Sequence, residues 1–209
     1  MKRAITIFIV LFMFSQLGAQ ESPNYPYRNA IKLGIPELGN SQFQFGYERF
    51  FGDRKSSIII MPSFILKKNS DEELGGFELA AQYRFMLSNH KGAWFLNNIS
   101  FYGAPYAQYL SLSSENAFYK YVNGVPEPLR NIAKREINAI EGGLLIGTHI
   151  DLTSRINLDF FVGGGVRYSD VTDSGDQMEG FPYTYYYSVF DREYTGIKPR
   201  IGLMMGISF

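Results

Sequence analysis

The sequence predicts an all-β fold, an eight-stranded antiparallel up-and-down transmembrane β-barrel. Three observations lead to this prediction. Eight segments alternate between apolar and polar residues with a period of two, which is typical of β-strands. The chain is rich in residues that favour strands and turns, with 18 Phe, 15 Tyr and 21 Gly. Beyond residue 20, no segment approaches the ~20 consecutive apolar residues that a membrane helix needs.

The N-terminus is predicted to be a signal peptide, residues 1–20, followed by a barrel domain over residues 21–209. Lys2 and Arg3 give a positive start, an apolar run follows over residues 4–14, and Ala19 ends a short polar segment. This order is typical of a secretory signal, and the apolar run is too short to span a bilayer as a helix. The sequence therefore predicts export of the chain.

Alternation places the first four strands at residues 29–36, 41–51, 56–66 and 74–86. In the first strand, Lys32 lies on the face opposite to Ile31 and Leu33. The third strand is the least regular, because three consecutive isoleucines begin at Ile58. The fourth is regular, with Phe77, Leu79, Ala81, Tyr83 and Phe85 on one face and Glu78, Ala80, Gln82 and Arg84 on the other.

The last four strands are predicted at residues 93–112, 135–150, 155–168 and 194–209. The fifth contains Pro105, which predicts a kink or bulge because proline cannot donate to a strand ladder. The sixth and seventh place aliphatic residues opposite glycines and charged residues. The eighth alternates most regularly, and its apolar face comprises Ile197, Pro199, Ile201, Leu203, Met205, Ile207 and Phe209.

The predicted links between strands alternate in length. Short turns follow the second, fourth and sixth strands, and longer loops follow the third, fifth and seventh, at residues 67–73, 113–134 and 169–193. Only the link after the first strand departs from this pattern. Short periplasmic turns and long outer loops are typical of bacterial outer-membrane barrels, which also have an even number of strands.

Alternation alone does not say which face points into the barrel, so a secreted soluble β-barrel or sandwich is the alternative fold. The composition of the polar face favours a lipid-facing exterior, because it combines glycines with charges of both signs. A height of about 25 Å for residues 197–207, from ten steps of ~3.3 Å at a tilt of ~40°, also fits a membrane. The charges predicted to form a lumen ion network are Glu48, Glu78, Arg84, Glu141, Asp159, Arg167, Lys198 and Arg200.

The strand that ends in Phe209 and the segments 45–49 (FGYER) and 162–168 (VGGGVRY) resemble small outer-membrane β-barrels typified by the OmpA transmembrane domain. The resemblance implies location in the outer membrane of a gram-negative bacterium. It also implies that an assembly signal, formed by Leu203, Met205, Ile207 and Phe209, is read by the barrel-assembly machinery. OmpA proper carries a peptidoglycan-binding domain after its barrel, and that anchoring role is not implied here.

The charges could fill the lumen as a structural ion network, because eight strands leave an interior just wide enough for side chains. A narrow gated pore or ligand conduit is the alternative. We expect no enzymatic activity, since the only two histidines are predicted to lie away from the outer rim: His90 in a periplasmic turn and His149 at the periplasmic end of the sixth strand.

We expect no cofactor and no metal site. The acidic residues Asp170, Asp173, Asp176 and Glu179 could bind calcium, but their spacing matches no EF-hand, and a solvated loop explains them better. With 20 acidic and 20 basic residues, nothing indicates nucleic acid as a partner. The predicted partners are the lipid bilayer, the barrel-assembly machinery and an extracellular molecule that would contact the loops 113–134 and 169–193. The aromatic run 181–187 is expected to extend the seventh and eighth strands as a hairpin, and a contact surface for a partner is the alternative. Trp94, Phe95, Phe50 and Phe51 are predicted girdle residues.

Overall fold

A computed structural model describes residues 27–35, 42–52, 54–68, 72–91, 96–122, 125–174, 188–189 and 191–209. The predicted signal peptide, the predicted girdle residues Trp94 and Phe95, and the aromatic run 181–187 lie outside these residues. Eight strands are present: β1 (Asn29–Gly34), β2 (Gln42–Phe51), β3 (Ser56–Lys68), β4 (Glu72–Lys91), β5 (Asn98–Val122), β6 (Val125–Asp151), β7 (Ile156–Ser174) and β8 (Gly196–Ser208).

The strands close into one barrel in the order of the sequence, from β1 to β8. Every neighbouring pair is antiparallel, including β8 with β1. The predicted all-β, eight-stranded antiparallel barrel is therefore confirmed. We call the end with the β2–β3, β4–β5 and β6–β7 links the turn end, and the opposite end the loop end.

The register fixes the tilt of the strands. A row of paired residues that starts at Ala30 and is followed from strand to strand, from β1 through β7, arrives at Lys198 of β8. Ala30 is paired directly with Ser208 of β8, so the row returns to β8 ten residues away from this pair. For eight strands, an offset of this size corresponds to a tilt of about 40° from the barrel axis. The strands therefore have the inclination that the sequence-based height assumed.

Several strands are longer than alternation predicted. The prediction of a loop over residues 113–134 is wrong, because most of these residues belong to strands: β5 continues to Val122 and β6 begins at Val125. Likewise, β7 continues to Ser174, and His90, predicted to lie in a turn, belongs to β4 and pairs with Ile99. Alternation cannot reveal these extensions, since a ladder that continues past the apolar band needs no apolar face.

Pro105 does not cause the predicted bulge. The β4–β5 ladder has no pairs opposite residues 104 and 105, but it resumes in the same register at Phe85 and Gly103. The register shifts instead at Leu87, between Met86 and Ser88. The missing donor of Pro105 is thus accommodated by a local gap in pairing.

The apolar faces point outward and the polar faces point into the lumen. Outward side chains remain exposed, as in Ile197 (75%) and Leu144 (69%), whereas the inward Lys32, Glu48 and Arg84 are all at most 1% exposed. In the run of three isoleucines, Ile59 is buried and its two neighbours are exposed. This polarity is the reverse of a soluble β-barrel, whose apolar residues face inward.

Inward aromatic rings lie against glycines on neighbouring strands. A Cβ added at Gly202 would lie 2.2 Å from the Phe161 ring, and one at Gly147 would lie 2.4 Å from the Tyr102 ring. Both aromatic residues belong to an apolar layer across the lumen, with Ile59, Met61, Ala80, Ala104, Tyr106, Leu145 and Met204. The glycines on the polar face therefore make room for the rings that fill the barrel.

We predict that Gly202→Ala destabilises the barrel by about 1–3 kcal/mol, because the added methyl group would overlap the Phe161 ring. Gly142→Ala is the matched control, since its Cβ would meet only Tyr106 O, at 3.6 Å. The measurement is the temperature at which the folded band disappears in electrophoresis without boiling. Equal midpoints for the two variants would contradict this packing.

Candidate functional site: an ion network in the lumen

All eight predicted network residues lie on the lumen side of their strands, but they form two clusters. Near the turn end, Glu48, Arg84 and Asp159 are joined by Lys32 and His149. Nearer the loop end, the second cluster contains Glu78, Glu141, Arg167 and Arg200. Lys198 has a different partner, since its Nζ donates to the backbone oxygen of Asp191 at 2.7 Å.

The turn-end cluster is organised around two carboxylates that share two cations. Arg84 Nη1 lies 3.1 Å from Glu48 Oε1 and 2.9 Å from Asp159 Oδ1. Lys32 Nζ forms ion pairs with the same two carboxylates. Ser57 Oγ donates to Glu48 Oε1 at 2.5 Å. All four charged side chains are inaccessible to solvent, so each charge depends on the opposite charges for its stabilisation.

His149 extends this cluster to the turn end. Its Nδ1 lies 3.1 Å from Asp159 Oδ2 and its Nε2 lies 3.1 Å from Asp151 Oδ1. Arg54, in the β2–β3 turn, donates from Nη1 to both oxygens of Asp151, at 3.1 and 3.0 Å. The Arg54 guanidinium also lies 4.5 Å from the centre of the Phe50 ring. Arg54 thus links the turn across the barrel mouth to β6.

Glu48, His149 and Asp159 offer ligand atoms within 4.8 Å of one another, the spacing of a possible metal site. Lys32 and Arg84 already contact both carboxylates. With Arg54 and Asp151 included, three permanent cations face three carboxylates, so the cluster is balanced without a further cation. A metal ion would have to displace Lys32, and the geometry favours ion pairing over metal binding.

The loop-end cluster is centred on Glu141. Arg167 Nε donates to Glu141 Oε2 at 2.7 Å, and the Tyr106 hydroxyl donates to Oε1 at 2.6 Å. Arg200 is held more loosely, 3.6 Å from Glu78 and 3.9 Å from Glu141. The apolar layer separates this cluster from the turn-end cluster.

Sequence reasoning missed several members of the network. Lys32 and His149 carried a usable signal, because both occupy the polar face of an alternating strand. Arg54 and Asp151 carried none, since they lie where a strand meets a turn and no periodicity assigns a direction to their side chains. Only the closed barrel brings these two residues together, from positions 97 residues apart.

The predicted assembly-signal residues Leu203, Met205, Ile207 and Phe209 all face outward on or just after β8. Ile207 and Phe209 are more than half exposed. The backbone N–H of Phe209 donates to Asn29 O at 2.9 Å, which places this residue at the junction of the two ends of the barrel. Their role in assembly stays a prediction.

Comparison with protein-family models, with curated proteins and with solved structures finds no match. Among the described residues, no helix has the length and apolar character to cross a membrane. The site must therefore be interpreted from its own geometry.

We predict that Asp159→Asn destabilises the barrel by about 3–5 kcal/mol, because it leaves Lys32 and Arg84 buried with one carboxylate fewer. Asp170→Asn, on the exposed face of β7, is the control and should change the urea midpoint little. The double variant Lys32→Met with Asp159→Leu should cost less than the sum of its single changes, since it removes both partners together. Additive effects in this cycle would contradict direct coupling.

Proposed function

We propose that this protein is an outer-membrane β-barrel protein of a gram-negative bacterium that has no enzymatic activity. In this proposal its wall faces lipid, and its loop end presents a contact surface to extracellular partners. The reversed polarity of the barrel carries the proposal, because exposed apolar side chains surround a lumen that contains buried charges. Water would leave the outer surface unfavourably solvated, whereas a bilayer would cover it.

The dimensions of the apolar surface support the same proposal. On β6, the mainly apolar outward row from Ile140 to Ile150 contains Leu144 and Ile146 as well as Gly142 and Thr148, and its ten steps correspond to a height of about 25 Å at the tilt of the barrel. Beyond Ile140 the outward positions become polar along one row, Ser111, Asn138 and Asp170, which are paired across three strands. A band of this height with a polar boundary matches the hydrocarbon core of an outer membrane.

The lumen supports a scaffold rather than a pore. Two clusters of ion pairs and two clusters of buried apolar side chains occupy the described part of the lumen, and the second apolar cluster comprises Ile65, Leu110, Leu112, Ile137 and Ala139. The position of His149 argues against surface catalysis, because it is 2% exposed and is held between two aspartates.

The loop end supports an interaction role. The β5–β6 ladder continues to the pair Val122 and Val125, whereas the β4–β5 ladder ends at Glu72 and Asn116. From the polar row at Ser111, β5 extends a further 11 residues to Val122, or roughly 36 Å along the strand. A hairpin of this length places the backbone of β5 and β6 well outside the proposed membrane, where a partner can reach it.

We predict that Leu144→Arg destabilises the barrel in lipid vesicles by about 2–4 kcal/mol, because Leu144 lies near the middle of the apolar band. Asp170→Arg, at the polar row, should cost at most about 1 kcal/mol. The measurement is the urea midpoint of unfolding from vesicles. In a soluble barrel, Leu144→Arg would affect only an exposed position and would be nearly neutral, so that result would contradict the membrane location.

We also predict that the purified protein shows no steady single-channel conductance in planar bilayers, since the lumen is filled. Steady conductance that changes in Arg200→Ala would contradict the scaffold and would support the gated pore instead.

A further inference from the structure

The junction between β1 and β8 differs from the other seven junctions of the described barrel. It is the only one whose two strands are not consecutive in the sequence, so no turn holds them together. Its ladder is short, because β1 has six residues; the β1–β2 ladder is equally short, but those two strands are consecutive in the sequence. The ladder joins residues 30–34 to residues 204–208. Hydrogen bonds between Asn29 and Phe209 extend it at the turn end, and the Ile35 N–H, which donates to Leu203 O at 3.0 Å, extends it at the loop end.

Lys32 crosses this junction on the lumen side. It is a β1 residue, and its side chain passes over Gly206 of β8, where an added Cβ would lie 2.6 Å from Lys32 Cγ. Its ammonium group forms an ion pair with Asp159 of β7 and lies 3.5 Å from His149 Nδ1 of β6. Lys32 therefore ties β1 directly to the two strands on the far side of β8.

A second tie lies at the rim of the turn end. Tyr27, which precedes β1, accepts a hydrogen bond at its hydroxyl from Arg155 Nε, at 3.0 Å. Arg155 immediately precedes β7, and its guanidinium lies 5.3 Å from the centre of the Tyr27 ring. Arg54 Nη2 donates to the backbone oxygen of Tyr27 at 3.3 Å. This tie is exposed, so it holds the junction less strongly than the buried ion pair does.

We propose that the β1–β8 junction is where this barrel opens first, and that the Lys32–Asp159 ion pair is the internal latch that keeps it closed. Parting β1 from β8 would carry Lys32 away from Asp159, so that Asp159 would keep only Arg84 and Lys32 would keep only Glu48 as an oppositely charged partner. The latch thus compensates for the short ladder and the absence of a turn. The proposal concerns the closed barrel itself and does not depend on its location in a membrane.

Hydrogen exchange in the full-length folded protein tests the latch with Lys32→Met, which keeps a long side chain above Gly206 but removes the charge. We expect amide exchange in peptides covering residues 29–35 and 203–209 to accelerate at least tenfold, with much smaller changes in β5 and β6. Arg167→Met is the matched control. Arg167 is also buried and ion-paired, but it belongs to β7, which is joined to β6 by a long ladder. Uniform acceleration in Lys32→Met, or equal acceleration of the junction in the control, would overturn the proposal.

A disulfide across the β1–β8 junction gives a second test. Because the native chain has no cysteine, two introduced cysteines have no other cysteine to pair with in the same chain. Ile31 and Ile207 are directly paired across the junction, and Tyr109 and Ile140 are directly paired between β5 and β6. Direct antiparallel partners lie within the Cα separation that a disulfide spans. An oxidised Ile31→Cys, Ile207→Cys pair should restore the heat resistance that Lys32→Met loses, whereas the Tyr109→Cys, Ile140→Cys pair should not.

If Lys32→Met does not fold, the same two disulfides in the otherwise native protein decide the question. Because a longer closed loop by itself gives more stabilisation, support would be a gain in unfolding temperature from the Ile31–Ile207 crosslink that exceeds the gain from the Tyr109–Ile140 crosslink by more than this difference in loop length explains. Equal temperatures, or a larger gain from the β5–β6 crosslink, would overturn the proposal.

Discussion

The structure depends on the mutual neutralisation of charges inside a barrel too narrow to hydrate them. Glu48 and Asp159 come from opposite parts of the sequence, and each accepts contacts from both Lys32 and Arg84. Removing any one of these side chains leaves a buried charge with too few partners. Because the four residues belong to β1, β2, β4 and β7, their pairing is satisfied only when the sheet has closed into a ring. The charges therefore select the closed barrel over partly curled sheets.

Glycines determine how the same lumen is filled. The aromatic rings of Phe161 and Tyr102 occupy the space above Gly202 and Gly147, so each ring position requires a missing side chain on the adjacent strand. A shift of one strand by one residue would turn its inward face outward and would place side chains under these rings. Aromatic rings and glycines thus fix the register, while the ion pairs fix closure.

Much of this fold could be predicted from the sequence, because successive residues of a barrel strand point alternately outward and into the lumen. Alternation located all eight strands, and the glycines and mixed charges of the polar face indicated that residues such as Arg84 and Arg200 point inward. The alternation pattern failed to predict structure where the two faces of a strand no longer have different surroundings. Beyond the apolar band the β5–β6 ladder continues without an apolar face, so its end at Val122 carried no signal. The Arg54–Asp151 contact was also invisible, since the side chain of a turn residue has no periodic direction and finds its partner only in the closed ring.

The proposed role follows from the contacts made by the side chains in the lumen. Side chains of the described lumen pair with or pack against one another, and His149 is held between two carboxylates, so these groups stabilise the barrel. In the proposed function, the exposed aliphatic and aromatic side chains of the outer surface contact lipid. The segments that remain available for recognition lie beyond the polar row at the loop end. There the β5–β6 ladder extends further than the β4–β5 ladder. A stable barrel that holds such a hairpin at a fixed height is the arrangement expected of a surface scaffold, in which the interior supplies rigidity and the loop end supplies specificity.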